Sequence, residues 1–254
     1  MDYSNFKIDM PNDVDFIINT IKSHGHQAYA VGGCVRDSIM GLTPNDWDIT
    51  TSALPSDIKE YFNKTIDTGI EHGTVTVMLH NVGYEVTTYR IDGEYKDGRH
   101  PSSVEFSDRL TDDLCRRDFT INAMAYNNIT GLVDEYGGID DINNRIIKCV
   151  GNPIERFTED ALRMMRAIRF SAQLGFTIDE ATWNAIKKLS PSISKISMER
   201  VHVELGKTLM SAHPDYVAQY SEAGLFAPIL PVIDNALKSR YKRKILATLQ
   251  HTPD

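Results

Sequence analysis

At 254 residues, with 41% hydrophobic and 24% charged side chains, the chain can bury one large core or two modest ones. No apolar run reaches the roughly 18 residues of a membrane span, and MDYSNFKIDM lacks the basic and apolar segments of a signal peptide, so no membrane partner is expected. Cys34, Cys115 and Cys149 are scattered without CxxC spacing, which suggests neither a zinc site nor a disulfide framework and points to a reducing, cytoplasmic setting.

Short β-rich and helical runs alternate up to residue 150. QAYAV reads as a strand, followed by a Gly32-Gly33 turn and a short helix from Val35 to Met40. WDITT is a second strand, and LPSDIKEYF is a helix with Pro55 in its first turn. GTVTVML and YEVTTYR are strands joined by HNVG, whose Asn81 and Gly83 mark a hairpin. Ile91 to Leu114, containing GEYKDGRHPSS, reads as one long mobile loop. After Gly151 the pattern is all helix: a single helix over TEDALRMMRAIRFSAQLG, then DEATWNAIKKLS, SMERVHVELGKTLMS and DYVAQYSEAG. Gly175 ends the first of these and Gly206 interrupts the third. The expected architecture is an α/β head with a mixed sheet over residues 1–150, then an all-α region over 151–254.

Charge divides at the same place. Residues 1–150 carry 13 Lys/Arg against 24 Asp/Glu, a balance of −11, and residues 151–254 carry 14 against 11, a balance of +3. An acidic front half suits metal binding and a basic rear half suits phosphate backbones, although solvated helix faces give the same numbers.

The local feature that carries most chemistry is Gly32-Gly33-x-x-Arg36-Asp37 followed by Asp46-x-Asp48. Glycines after a strand let backbone N–H groups approach an anion, and Arg36, one turn on, can reach the same phosphates. Alternate residues of a strand share a face, so Asp46 and Asp48 project together and repel unless a cation such as Mg²⁺ lies between them. No GxxxxGK[ST] occurs, so a P-loop is excluded. Glu85 is either a third carboxylate for this site or a solvated strand glutamate. Arg116-Arg117-Asp118 is either a cap or a pair of groups offered to a triphosphate and a ribose. On a helix from Thr158, Ala161, Met164, Met165, Ile168 and Ala172 form an apolar stripe, with Glu159, Asp160, Arg163 and Arg166 opposite. Arg163 is spaced to pair with Asp160 and with Glu159, as solvated pairs or as a device that reads a nucleobase edge.

Five blocks in order resemble the class II tRNA nucleotidyltransferases, which comprise the CCA-adding enzymes and their bacterial poly(A) polymerase relatives. They are AVGGCVRDSIMG…NDWDITTSA, RRDFTINAMAYN, VDEYGGIDDINNRII, EDALRMMRAIRFSAQLGF and ISMERVHVELGKTL, over about residues 28–210. The resemblance implies template-independent addition of CCA to the 3′ end of tRNA from CTP and ATP. It implies two Mg²⁺ ions on Asp46 and Asp48, with Glu85 beside them. Gly33 and Arg36 would then contact the triphosphate, and Arg117 and Asp118 the sugar. Asp160 and Arg163 would pair with the base, Glu159 would orient Arg163, and Arg166 and Arg169 would lie along the nucleotide pocket. The DGRHP segment speaks against a CC-adding variant. An A-adding enzyme, a poly(A) polymerase and, in another class, a non-catalytic tRNA- or nucleotide-binding module are the alternatives. The sequence stops at LATLQHTPD within a helical pattern, which reads as a truncated chain, or a naturally short one, carrying the helical neck and only the start of a body.

Overall fold

The computed structural model describes residues 7–93 and 103–250, which fall into two compact units, 7–93 with 103–142 and 143–250. The first begins with α1 (Asn12–Ser23), whose Val14, Ile17, Ile18 and Ile21 recur at helical spacing and are all buried. β1 (Ala28–Val31) is buried along its whole length, and α2 (Gly33–Ile39) follows. Next come β2 (Asp48–Thr51), α3 (Pro55–Tyr61), β3 (Thr65–Gly69), β4 (Thr74–Leu79) and β5 (Val82–Thr88). β6 (Arg90–Asp92), β7 (Val104–Phe106), α4 (Leu110–Cys115), β8 (Met124–Asn127), β9 (Gly131–Asp134) and α5 (Gly138–Asn143) complete it. Among the described residues, seven strands form one mixed sheet in the order β3-β4-β5-β2-β1-β8-β9. β2 runs antiparallel to β1 and parallel to β5. Beneath it, Tyr29, Val31, Tyr89, Leu110, Leu114 and Ala125 form one buried cluster that seats α4 against the sheet.

The second unit contains β10 (Ile146–Ile147), α6 (Pro153–Glu159), α7 (Leu162–Leu174), β11 (Thr177–Ile178) and α8 (Glu180–Leu189). It continues through α9 (Met198–Leu209), α10 (Val217–Glu222), α11 (Pro231–Lys238) and α12 (Lys242–Gln250). The expected class, a mixed-sheet head followed by a helical region, is the observed one. None of the described helices is long and apolar enough to cross a membrane.

Several local expectations change. The hairpin turns on His80 and Asn81, both with positive φ (50° and 65°), as a two-residue turn between Leu79 and Val82 requires. Gly83 belongs to β5 instead, and a Cβ there would meet Thr76 Cγ2 at 2.9 Å. Ile91 to Leu114 is not one loop: β6 and β7 pair, and α4 begins at Leu110. These strands are three residues each, too short for an alternation to register in sequence. Most of GEYKDGRHPSS lies outside the described residues. Helix α9 runs through Gly206, where a Cβ would meet nothing, so this glycine costs the helix about 1 kcal/mol without ending it. The helical region also holds one small parallel pair, β10 with β11.

Candidate active site

β1 ends at Gly32, whose φ of 85° and ψ of −129° suit glycine alone. This turn starts α2 at Gly33, two residues ahead of the Val35 expected. A Cβ at Gly33 would make only an ordinary contact, 3.7 Å from Arg36 Nη2, so the space above its backbone is open to a ligand. A Cβ on Gly32 would come within 3.0 Å of Arg117 Nη1, so the Arg117 guanidinium lies over the turn. Gly32→Ala therefore combines backbone strain with displacement of Arg117. It is expected to cost about 1–3 kcal/mol and to weaken triphosphate binding, measured by thermal melting and by titration with CTP.

Arg36 is buried and engaged within the first unit. It pairs with Asp37 at 2.7 Å and donates from Nη1 to Asn122 Oδ1 at 2.6 Å. Asn122 in turn donates to Asp118 Oδ1 at 3.2 Å, and the same oxygen accepts from the Phe119 N–H at 2.9 Å. Asp37, Arg36, Asn122 and Asp118 thus form one chain of hydrogen bonds. Arg36, expected at the phosphates, is held by Asp37 and Asn122 in this structure.

Asp46 and Asp48 do not both lie on a strand. β2 begins at Asp48, and Asp46 occupies the preceding loop. Their carboxylates nevertheless interact. Solvent reaches Asp48, but surrounding protein desolvates it, and its carboxyl is pushed up to about 6. After desolvation the causes are the Asp46 charge, the opposing pull of Arg117, and Glu85. Ile49 pairs with Val86 across the parallel strands, so Asp48 and Glu85, one step back, share a face. Among the described residues no three His, Cys, Asp or Glu side chains gather into one cage, so Glu85 acts on Asp48 at longer range. Two repelling acids with a third nearby are nonetheless a donor set that fits a divalent cation.

Asp113 on α4 escapes a motif-based reading. It is wholly buried, accepts from Arg116 Nη2 at 2.5 Å and Arg117 Nη2 at 3.0 Å, and receives Thr50 Oγ1 at 3.1 Å. It is the anchor that lays Arg117 on the glycine turn. The available signal was its i,i+3 and i,i+4 spacing from the two arginines. Among the described residues, Arg117 Nε is buried without a hydrogen-bond acceptor.

In the second unit the helix expected from Thr158 is two helices. α6 ends at Glu159, and Asp160 is extended (φ −139°, ψ 107°). Asp160 Oδ1 accepts from the Leu162 N–H at 2.9 Å, capping α7. The apolar stripe is buried as expected, but the wheel does not carry across the break. Glu159 pairs with Arg163 at 2.5 Å and with Arg156 at 2.5 Å. Asp160 pairs not with Arg163 but with Arg200, at 2.8 Å. Arg166 lies 5.3 Å from the Phe170 ring centre. Arg169 is buried, pairing with Glu204 at 2.6 Å and donating to Gln173 at 2.7 Å. That position makes it a strut joining α7 to α9 and not a side chain on the charged face.

A mixed sheet ending in a glycine turn, with an arginine over the turn and repelling acids beside it, defines a nucleotidyltransferase-type head. Residues 28–148 match the family model described as the poly A polymerase head domain, and residues 175–237 the one described as a probable RNA and SrmB-binding site of polymerase A. A CCA-adding enzyme of Ligilactobacillus salivarius is 52% identical over 198 residues, 78% of this chain and 49% of its own length. The crystal structure of the Bacillus stearothermophilus CCA-adding enzyme in complex with CTP has a TM-score of 0.80 at 41% identity, covering 92% of this chain and 56% of that one. The Thermotoga maritima CCA-adding enzyme complexed with tRNA_CCA shares the fold, with a TM-score of 0.77 at 23% identity over 100% of this chain and 63% of that one. The chain spans about half the length of the curated relatives it matches. It belongs to the poly(A) polymerase family of nucleotidyltransferases, within which its similar relatives are bacterial CCA-adding enzymes.

Proposed function

We propose that this chain is the catalytic part of an enzyme that adds CCA to the 3′ end of tRNA from CTP and ATP, without a template, in the cytoplasm. The observation that carries the reading is the Asp46–Asp48 pair beside the glycine turn over which Arg117 lies, in a chain 52% identical to a CCA-adding enzyme. Residues 1–150 serve as the head and 151–254 as the neck with the start of a body.

Asp46 and Asp48 would hold two Mg²⁺ ions, which supply an activated 3′-hydroxyl and charge neutralisation at the leaving pyrophosphate. Glu85 adds negative charge beside Asp48. The Gly33 backbone, Arg36 and Arg117 bind the triphosphate, and Asp118, fixed through Asn122, faces the sugar. Asp160 accepts from the base edge and Arg163, oriented by Glu159, donates to it. Arg166 lines the nucleotide pocket, and Arg169 holds α7 in place through Glu204. The tRNA 3′-oxygen attacks the α-phosphorus, the bond to the bridging oxygen breaks and pyrophosphate leaves. The chain's contribution is positioning and charge stabilisation.

Incubation with tRNA lacking CCA and each labelled nucleotide tests the reading. Incorporation of two C residues and then one A supports it. Incorporation of ATP alone would identify an A-adding enzyme, long A tails a poly(A) polymerase, and binding without transfer a non-catalytic module. Arg163→Ala is expected to relax base choice, lowering discrimination of CTP and ATP against UTP and GTP by about 10- to 100-fold. Unchanged selectivity in competition assays would place base reading elsewhere.

A further inference from the structure

Asp160 stands in the extended break between α6 and α7, where its N–H donates to the Arg156 carbonyl at 3.4 Å and its own carbonyl accepts from the Arg163 N–H at 3.0 Å. Two further contacts fix its carboxylate. Oδ1 accepts from the Leu162 N–H at 2.9 Å, and Oδ2 accepts from Arg200 Nη2 at 2.8 Å, with Arg200 Nη1 3.5 Å from Oδ1. Arg200 comes from α9, 40 residues along the chain. We infer that Arg200 is a positioning residue for base recognition, holding the Asp160 carboxylate at a set angle. The inference rests on the reading that Asp160 accepts a hydrogen bond from the base.

Three observations carry it. First, the two halves of the reading pair are anchored independently: Arg163 by Glu159 at 2.5 Å, Asp160 by Arg200. An acceptor and a donor fixed by separate partners keep their spacing when a base arrives, which is how preorganised polar groups discriminate. Second, α9 is itself fixed against α7. Glu204, one turn beyond Arg200 on the same face, pairs with buried Arg169 at 2.6 Å, and Thr208, one turn further, bonds to the Tyr220 hydroxyl at 2.7 Å. Arg200 therefore projects from a rigid support. Third, a cavity of about 400 Å³ adjoins the pair, lined by Leu162, Ser197, Glu199, Arg200, Val203 and Glu204. Arg200 borders open space on that side, and its side-chain hydrogen bonds among the described residues are the two to Asp160. The planar fork of arginine matters here, because lysine supplies a point charge without the second contact.

The test uses Arg200→Gln and Arg200→Lys in the whole protein, assayed with all four nucleotides on tRNA lacking CCA. Arg200→Gln is expected to raise KM for CTP and ATP by about tenfold and to lower selectivity over UTP and GTP similarly, with kcat changing less. Inhibition by inorganic tripolyphosphate, which has no base, should stay within about twofold of wild type, since the head residues that hold phosphate are untouched. Arg200→Lys should restore part of the selectivity. In a cycle with Asp160→Asn, the double variant should be no less selective than Asp160→Asn alone. Unchanged selectivity in Arg200→Gln overturns the inference. So does a loss confined to thermal stability, or one that falls equally on tripolyphosphate. If Asp160→Asn itself leaves selectivity intact, the base-reading role of Asp160 fails, a result distinguishable from failure at Arg200 alone.

Discussion

Replacing Asp48 with alanine is expected to lower nucleotide incorporation by about 10³-fold or more while leaving the head folded. Asp48 lies at the open end of β2, and its carboxyl is pushed up to about 6 by desolvation, by Asp46 and, more weakly, by Glu85, against the pull of Arg117. In the absence of a cation this group is a source of repulsion. Its removal relieves that repulsion, so melting temperature should be unchanged or slightly higher, the trade-off seen where a site is strained for function. Asp48→Asn should show the same loss of activity with the side-chain shape retained. The decisive comparison is single-turnover incorporation beside a thermal melt of the same preparation. Turnover within tenfold of wild type would remove the proposal that Asp48 holds a catalytic metal.

The largest expected effect on stability belongs to Asp113. Its carboxyl is buried, which works to raise its pKa, but the guanidinium groups of Arg117 and Arg116 override burial and hold it down to about 2. A carboxylate with a lowered folded-state pKa stabilises the protein above its ordinary value near 3.8, and that stability is lost as pH falls towards 2. The shift corresponds to roughly 2–3 kcal/mol. Deleting the acid goes further, because Arg116 and Arg117 each lose an ion pair and the Thr50 hydroxyl keeps only the longer contact to the Thr87 carbonyl at 3.3 Å. Asp113→Ala should therefore destabilise the protein by about 3–5 kcal/mol. It should also release Arg117 from the glycine turn and weaken triphosphate binding. Urea unfolding at neutral pH measures the first effect and CTP titration the second. A variant as stable as wild type, with the same acid limb between about pH 4 and 2, would show that the cluster contributes nothing net.

The parts of the molecule legible in sequence were those set by local pattern. The buried run AYAV, the glycine turn, the hairpin strands and the stripe through Met164, Met165 and Ile168 all follow from periodicity and from what glycine alone tolerates. Illegible were the features that depend on distant neighbours. The break at Asp160 is set by a cap and by an arginine 40 residues away, and a helical wheel drawn through it paired Asp160 with Arg163. Helical spacing already sets Arg169 off the charged face, but nothing local says that Glu204, 35 residues along the chain, meets it there. Asp113 had the spacing of an ordinary surface pair, and only its burial beneath the sheet shows that it supports the site. D-x-D has strand spacing and so predicts Asp46 on the strand, whereas the strand starts at Asp48.

The position of β2 has one more consequence. It is the middle strand of seven, bonded to β1 on one edge and β5 on the other. Amides in such a strand exchange with solvent only when the surrounding unit opens as a whole. Asp48 therefore cannot drift while the sheet around it stays closed, and warming should take the sheet and the reaction together. Adaptation to a hotter or colder environment would then act on Asp48 through the stability of the whole head, and on Asp46 through the loop that precedes β2.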